Sequence, residues 1–445
     1  MLRMPKLRNA YGFHGAVVGL HLVYFLLALH YGHIYNGDSF EYIHEAINII
    51  DHFFFYSGNP ALPITEEYMT LRPPGYPLFL LLTYIWGINN WMVLVWQSVI
   101  SVVNIFLCRN TFMLLGYDKK YDGWLFLCLL FYPSQLIYAH LMAPDILLQT
   151  FTLLYIRYMV LFLLKKNSRY VWWMSLALIG GLFMKPVLYP YAFIHFPLIA
   201  ILSLRQKTMT HTLAALLPLL CIVAYSLVNK ARTGKYHFSS IQSFNAIYYY
   251  QRYYTDKVSK EKGQTYIQQE RIAIAALPTF AQRYDKANER GIEILKANFF
   301  SYMPYHLGKS ALFFLETGRG ELEEFTGRLT LRSIYAGEAR KFSTVIRESS
   351  WKELGAYIKA NITVVIALIT LLTNVLKLIG LFLFARYASA PSLVKWFLFL
   401  FFAYFALLTG PISNAHYVMP VSLAIMCGGI SGYIVTFKRR TYLAH

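Results

Sequence analysis

Long apolar runs, separated by short polar or proline-bearing segments, dominate the chain from its first helix to its last. Windows of about 18 or more apolar residues predict membrane-spanning helices. They fall near 15–35, 91–107, 123–142, 146–164, 171–185, 187–204, 210–229, 358–384, 394–410 and 417–436. The expected class is therefore an all-α integral membrane protein with about ten spans, within bounds of 8–13. The first span is followed by 36–90 without a small-residue cleavage pattern, so it is read as retained rather than as a signal peptide.

Two shorter apolar patterns stand out in 36–90. Over 38–55, Phe40, Ile43, Ile47, Ile50 and Phe54 recur at spacings of three and four, with Glu41, Glu45, Asn48 and His52 on the other side. That spacing predicts a helix lying on the membrane surface, apolar face down. In "RPPGYPLFLLLTYIWG", Pro73 and Pro74 suit a helix start, and the run to Trp86 is too short to cross. It is expected to be a second juxtamembrane helix on the outer face.

The net charge of +19 raises the possibility of a nucleic-acid partner, but its distribution speaks against one. Sixteen Lys or Arg residues fall in short loops on one side of the predicted spans, whereas 36–90, 143–145, 185–187 and 411–416 together hold Arg72 and Lys185 alone. This asymmetry follows the positive-inside rule and predicts both termini in the cytoplasm. The segment 230–355 is long enough to be translocated despite its charge. The four cysteines lie in or beside apolar helices, so no disulfide framework is implied. No motif suggests a metal or a cofactor.

The predicted topology gathers ionisable residues at one membrane face. Asp38 opens the surface helix, and Arg72 precedes the proline pair. Asp145 follows Pro144 in "MAPDILL", Lys185 sits in "MKPVLYP", and His416 and Tyr417 lie in "SNAHYVMP". Taken singly, Asp38 and Asp145 read as helix N-caps, and Arg72 and Lys185 as side chains that snorkel toward lipid phosphates. Together, two acids and two cations at a lipid interface suit a reaction in which a hydroxyl loses its proton and a phosphate leaves.

These motifs come in a particular order: an acid after the first helix, "RPP" opening a short apolar helix, "YPSQLIYAHLMAPD" before a later span, and a basic residue before proline. In this order they resemble those of polytopic glycosyltransferases of the C fold, including protein O-mannosyltransferases and the aminoarabinose transferase acting on lipid A. The resemblance covers roughly 1–230 and, more loosely, "AHYVMP". It implies a C-type glycosyltransferase fold and a polyprenyl-phosphate sugar donor. It further implies an acceptor hydroxyl on a glycan, lipid or protein, with inverting transfer at the outer face. On this basis Asp38 is the general base, Asp145 sits opposite it, and Arg72 and Lys185 bind the donor phosphate with help from His416 or Tyr417. Relatives often carry adjacent acids after the first helix, where this chain has Ser39. Glu41, one turn on, shares the face of Asp38 and stays open as the base.

The expected organisation is a catalytic membrane core over 1–229, an outer-face helical insertion over 230–355, and membrane helices over 356–445. Within the insertion, the tyrosines of "YYYQRYY" are read as an interfacial belt. "GIEILKANFFSYMPYHLGKSALFFLE" is read as one amphipathic helix broken near Pro304, and "TGRGELEEFTGR" as a turn-rich connector. Two other function classes compete. A lipid-linked glycan polymerase or ligase would lack the "PP" helix after the first span. A transporter or flippase would place charges near the midplane and show two related halves. Lys377, mid-helix, fits a transporter better and is otherwise expected to snorkel inward. A bacterial inner membrane is the expected location.

Overall fold

A computed structural model describes residues 10–206, 209–328, 350–412 and 414–443, and every regular element among them is helical. The first half runs through α1 (Ala10–Tyr31), α2 (Ser39–His52), α3 (Gly75–Thr83), α4 (Asn90–Met113), α5 (Asp122–Leu130), α6 (Pro133–Ala139), α7 (Asp145–Lys165), α8 (Arg169–Met184), α9 (Tyr189–Gln206) and α10 (Met209–Thr233). The segment that follows holds α11 (Asn245–Lys257), α12 (Lys260–Ala275), α13 (Phe280–Ala297), α14 (Phe299–Leu312) and α15 (Arg319–Phe325). The chain closes with α16 (Trp351–Ala360), α17 (Ile362–Tyr387), α18 (Ser392–Thr409) and α19 (Ala415–Leu443). Among the described residues, eight helical stretches are long and apolar enough to cross a membrane, and α8 is a shorter apolar one. The protein is an integral membrane protein.

One predicted span, 123–142, is two short helices. Pro133 supplies no backbone donor and disfavours helical backbone at the residue before it. Tyr132 accordingly leaves the helical region, at φ −129° and ψ 75°. The broken pair is held at both ends. At its start Arg109, near the end of α4, meets Asp122 at 2.9 Å. Just beyond its end, the Met142 N–H reaches the Ile34 carbonyl in the loop after α1.

Buried amides weld the centre of the bundle. Gln135 on α6 and Gln149 on α7 exchange hydrogen bonds at 2.9 Å in both directions. Gln149 also donates to the Met419 carbonyl on α19, and Gln135 to Ser101 on α4. His21 on α1 completes the set by bonding Ser101 at 2.9 Å. Unpaired polar groups in lipid are costly, so such saturated contacts fix helix register. They also hold the first turn of α7, where Asp145 lies four residues before Gln149.

The closing helices α17 and α19 approach backbone to backbone. A side-chain carbon at Gly432 would sit 1.9 Å from the Gly380 carbonyl oxygen, so only glycine permits this crossing. Lys377, one turn before Gly380, does not snorkel. It is buried, with its ammonium 4.9 Å from the centre of the Tyr132 ring. A cation over an aromatic face is the contact that offsets its burial.

Between α13 and α14 the helix break falls at Asn298 rather than at Pro304. The Asn298 amide donates to the Ile294 carbonyl, closing α13, while its own carbonyl accepts from Tyr302, opening α14. The stretch read as a turn-rich connector contains α15. The expected tyrosine belt packs ring on ring, with Tyr250 5.7 Å from Tyr266 and Tyr253 5.1 Å from Tyr305.

Candidate active site

Helix α2 places the first acids. Asp38 holds the N-cap position yet makes no capping hydrogen bond. Its carboxylate instead lies 2.8 Å from an Arg72 amino group. The loop is held by its neighbours: Asn36 Oδ1 accepts from the Asp38 N–H, and Ser39 donates to the Met142 carbonyl at 2.7 Å. Ser39, where the resemblance drawn from the sequence leads one to expect a second acid, is a buried clasp between this loop and the α6–α7 turn.

Of the apolar stripe predicted for α2, Phe40 and Ile50 are exposed, whereas Ile43 is buried, so part of that face packs on protein rather than on lipid. Much of the opposite face meets protein, although Glu41 is partly exposed and His52 exposed. Tyr42, Glu45 and Asn48 are buried against protein, and Asn48 donates to the Tyr56 and Gly58 carbonyls, fixing the loop that follows. Burial pushes Glu45 up to about 8, against the opposing pull of Arg232 and Arg72.

Arg72 sits between two carboxylates. Its Nε lies 2.5 Å from Glu41 Oε2, and an amino group contacts the same oxygen. The guanidinium lies 5.2 Å from the centre of the Tyr42 ring, a cation–π contact. Burial raises the Glu41 carboxyl above its usual range, with Arg72 opposing the shift. A close approach holds the arginine in place. A side-chain carbon at Gly75 would meet the Phe183 carbonyl oxygen at 2.6 Å, so α3 starts directly on the end of α8.

That end of α8 delivers the second pair. Lys185 follows Met184, and its ammonium lies 2.8 Å from Asp145 Oδ1. Asp145 is 1% exposed, and its other oxygen has no hydrogen-bond partner. A buried carboxylate tolerates its site only when paired, and Lys185 supplies the charge.

The two pairs face one another. The Tyr42 hydroxyl feels the charges of Arg72, Asp38, Asp145 and Glu41 together, and it too lacks a hydrogen-bond partner. Tyr417 lies in range of Asp38, Asp145 and Arg72, and His416 in range of Lys185 and Arg72. The His416 ring stands 3.9 Å from that of Tyr417 and 6.5 Å, edge-on, from that of Tyr138. All seven residues singled out from the sequence thus gather at one place. Tyr42 was missed, although it lies four residues after Asp38 and so shares its helix face.

Exposure separates the roles the acids can take. Asp38 is 48% exposed, Glu41 27% and Asp145 1%. Asp38 is therefore the carboxylate most open to a ligand, whereas Asp145 is closed off against Lys185. Among the described residues, no group of three or more His, Cys, Asp or Glu side chains is arranged to hold a metal.

No family model matches the chain, and no curated protein sequence matches it. Two crystal structures are similar to it, both of ArnT from Cupriavidus metallidurans. The first, bound to undecaprenyl phosphate, has a TM-score of 0.42 at 12% identity, covering 96% of this chain and 79% of that one. The second, in the apo state, has a TM-score of 0.39 at 11% identity, covering 95% and 78%. At this distance the likeness describes overall shape and assigns no chemistry to individual residues.

Proposed function

We propose that this protein is a membrane glycosyltransferase that moves a sugar from a polyprenyl-phosphate donor to a hydroxyl acceptor, with inversion. The observation that carries this reading is the convergence of two acid–cation pairs, Asp38 and Glu41 with Arg72, and Asp145 with Lys185. Each comes from a different part of the chain, and all are at a helix end or in a turn. A transporter would set such charges near the midplane.

In the proposed reaction Asp38 takes the acceptor hydroxyl proton as its oxygen attacks the anomeric carbon. The bond from that carbon to the phosphate oxygen breaks, and the electron pair leaves with the lipid phosphate. Arg72 and Lys185 offset the charge that develops there, in a site of low dielectric. Before the donor binds, Arg72 holds both Asp38 and Glu41. A phosphate reaching Arg72 would compete for that guanidinium and release Asp38 to act as base, coupling activation to donor binding. The exposed apolar faces of α2 and α3, with Phe40, Leu78 and Leu82, offer the prenyl chain a surface continuous with lipid. The acceptor is a glycan, lipid or protein hydroxyl of the cell envelope. Transfer is at the outer, periplasmic face of a bacterial inner membrane, with the termini cytoplasmic.

The test is Asp38→Asn, assayed against a panel of radiolabelled prenyl-phosphate sugars. Losing a general base is expected to slow transfer by about 10²–10⁴-fold while donor-lipid affinity stays within a factor of about two. Near-normal turnover would move the base to Glu41 or Asp145 and contradict the assignment.

A further inference from the structure

The far ends of α17 and α19 carry cations that the proposed reaction does not use. The two helices run side by side in the same direction, since Gly380 packs on Gly429 and Gly432, and Lys377 on Gly429. Arg386 falls in the last turn of α17, and Arg439 lies near the end of α19. At about 1.5 Å per residue, Arg439 stands roughly 33 Å along α19 from Tyr417, a membrane thickness from the acid–cation pairs. Both guanidiniums rest on one ring. That of Arg386 lies 5.6 Å and that of Arg439 5.2 Å from the centre of Tyr387. Among the described residues, neither is paired with a carboxylate. Asp118, an acid at this end of the bundle, is already shared by Lys120 and Lys438.

Two like charges held this close repel, and the ring face offsets only part of that. The glycine crossing keeps them from parting, because the backbones of α17 and α19 touch about two turns before each arginine. An anion is the partner this arrangement lacks. The surface leading to it is apolar. Leu372, Ile379 and Phe382 are exposed on α17, and Arg386 follows four residues after Phe382 on the same helix face. On a membrane span such a stripe lies against acyl chains, and here it ends on a guanidinium. By contrast α19 is buried over most of its length, so Arg439 reaches the stripe through Tyr387.

We infer that Arg386, Tyr387 and Arg439 form a binding site for an anionic phospholipid of the leaflet opposite the acid–cation pairs. Its phosphate takes the two guanidiniums, and its acyl chains lie along Leu372, Ile379 and Phe382. The guanidinium fork matches phosphate oxygens, and basic pockets between membrane helices bind such headgroups. Net charge decides the class of lipid. A zwitterionic headgroup brings a cation of its own, which two uncompensated arginines repel. A free phosphate would meet the charges and leave the apolar stripe unused. Bound there, the lipid ties the end of α17 to that of α19. This site does not depend on the glycosyltransferase reading.

The test uses full-length protein in detergent, given equimolar phosphatidylglycerol and phosphatidylcholine of matched chains, with bound lipid counted by native mass spectrometry. Phosphatidylglycerol is expected to be retained about tenfold over phosphatidylcholine. Arg386→Gln with Arg439→Gln is expected to abolish that preference. Lys119→Gln with Lys165→Gln, which removes two other exposed cations at the same end of the bundle, is expected to keep it. A second arm adds inorganic phosphate in large excess, which is expected to leave bound phosphatidylglycerol in place. Because Arg386 and Arg439 are both exposed, their double variant should keep the wild-type Tm in phosphatidylcholine alone. The site is overturned by equal retention of the two lipids, or by a lysine variant that loses as much preference as the arginine one. Displacement by inorganic phosphate would overturn it as a lipid site, and a lower Tm in phosphatidylcholine would make the arginine pair structural.

Discussion

Asp145 and Gln149 are one turn apart on α7, both essentially buried, and they do opposite things. Gln149 sits in a closed exchange. Both of its amide hydrogens are used, on Gln135 and the Met419 carbonyl, and its oxygen accepts from Gln135 and Asn104. Asp145 has one oxygen on Lys185 and one without a partner. The same contrast separates the Gln135–Gln149 exchange from the charged site. Neutral groups that satisfy each other hold helices together and are finished. Charged groups with spare hydrogen-bonding capacity cost stability, and that capacity is what a substrate can use.

Five variants sharpen or break this contrast, taken from the largest expected effect. Lys185→Ala leaves Asp145 buried and uncompensated, and is expected to lower stability by about 3–5 kcal/mol in thermal unfolding of detergent-solubilised protein. Asp145→Asn combined with Lys185→Gln should recover most of that stability without recovering transfer. Recovery of both would make the pair structural. Gln149→Leu strands the Gln135 amide and is expected to cost about 1–3 kcal/mol. The folded fraction should keep transfer within about tenfold of wild type, since the network touches no reacting atom.

Smaller still is the effect at Glu45. Its carboxyl is raised from 4.5 to about 8 in the fold, so the folded state holds a proton that the unfolded chain releases. Stability from this group is therefore complete below pH 4.5 and declines as pH rises to about 8. Glu45→Gln is expected to flatten that decline and raise Tm at pH 8 by a few degrees. An unchanged pH profile would show that Glu45 is already ionised. Asp38→Ala should move stability least, within about 0.5 kcal/mol, because a half-exposed carboxylate that caps nothing carries little of the fold.

Charge sign and helix period made the rim site legible in the sequence. The positive-inside pattern put Asp38, Arg72, Asp145 and Lys185 on one face, and the structure brings them into two contacting pairs. What stayed hidden was pairing between distant segments. An acid at a helix start reads as a cap, and nothing local to Asp38 announces an arginine 34 residues on, held by Gly75 against α8. The buried side of α2 was hidden for a related reason. Period marks two faces, but whether the polar one meets water or protein depends on α3 and α10. The span at 123–142 misled because hydropathy does not register the backbone restriction that Pro133 imposes on Tyr132.

The most direct measurement is the affinity of bare polyprenyl phosphate for wild-type protein, for Arg72→Gln and for Asp145→Asn with Lys185→Gln, in nanodiscs at one ionic strength. If both cations hold the phosphate, Arg72→Gln should weaken binding at least about tenfold, the exchange of a charge-assisted contact for a neutral one. The neutral pair should weaken it by a smaller factor, and the triple variant should lose saturable binding. Unchanged affinity in Arg72→Gln would contradict a phosphate site at the rim.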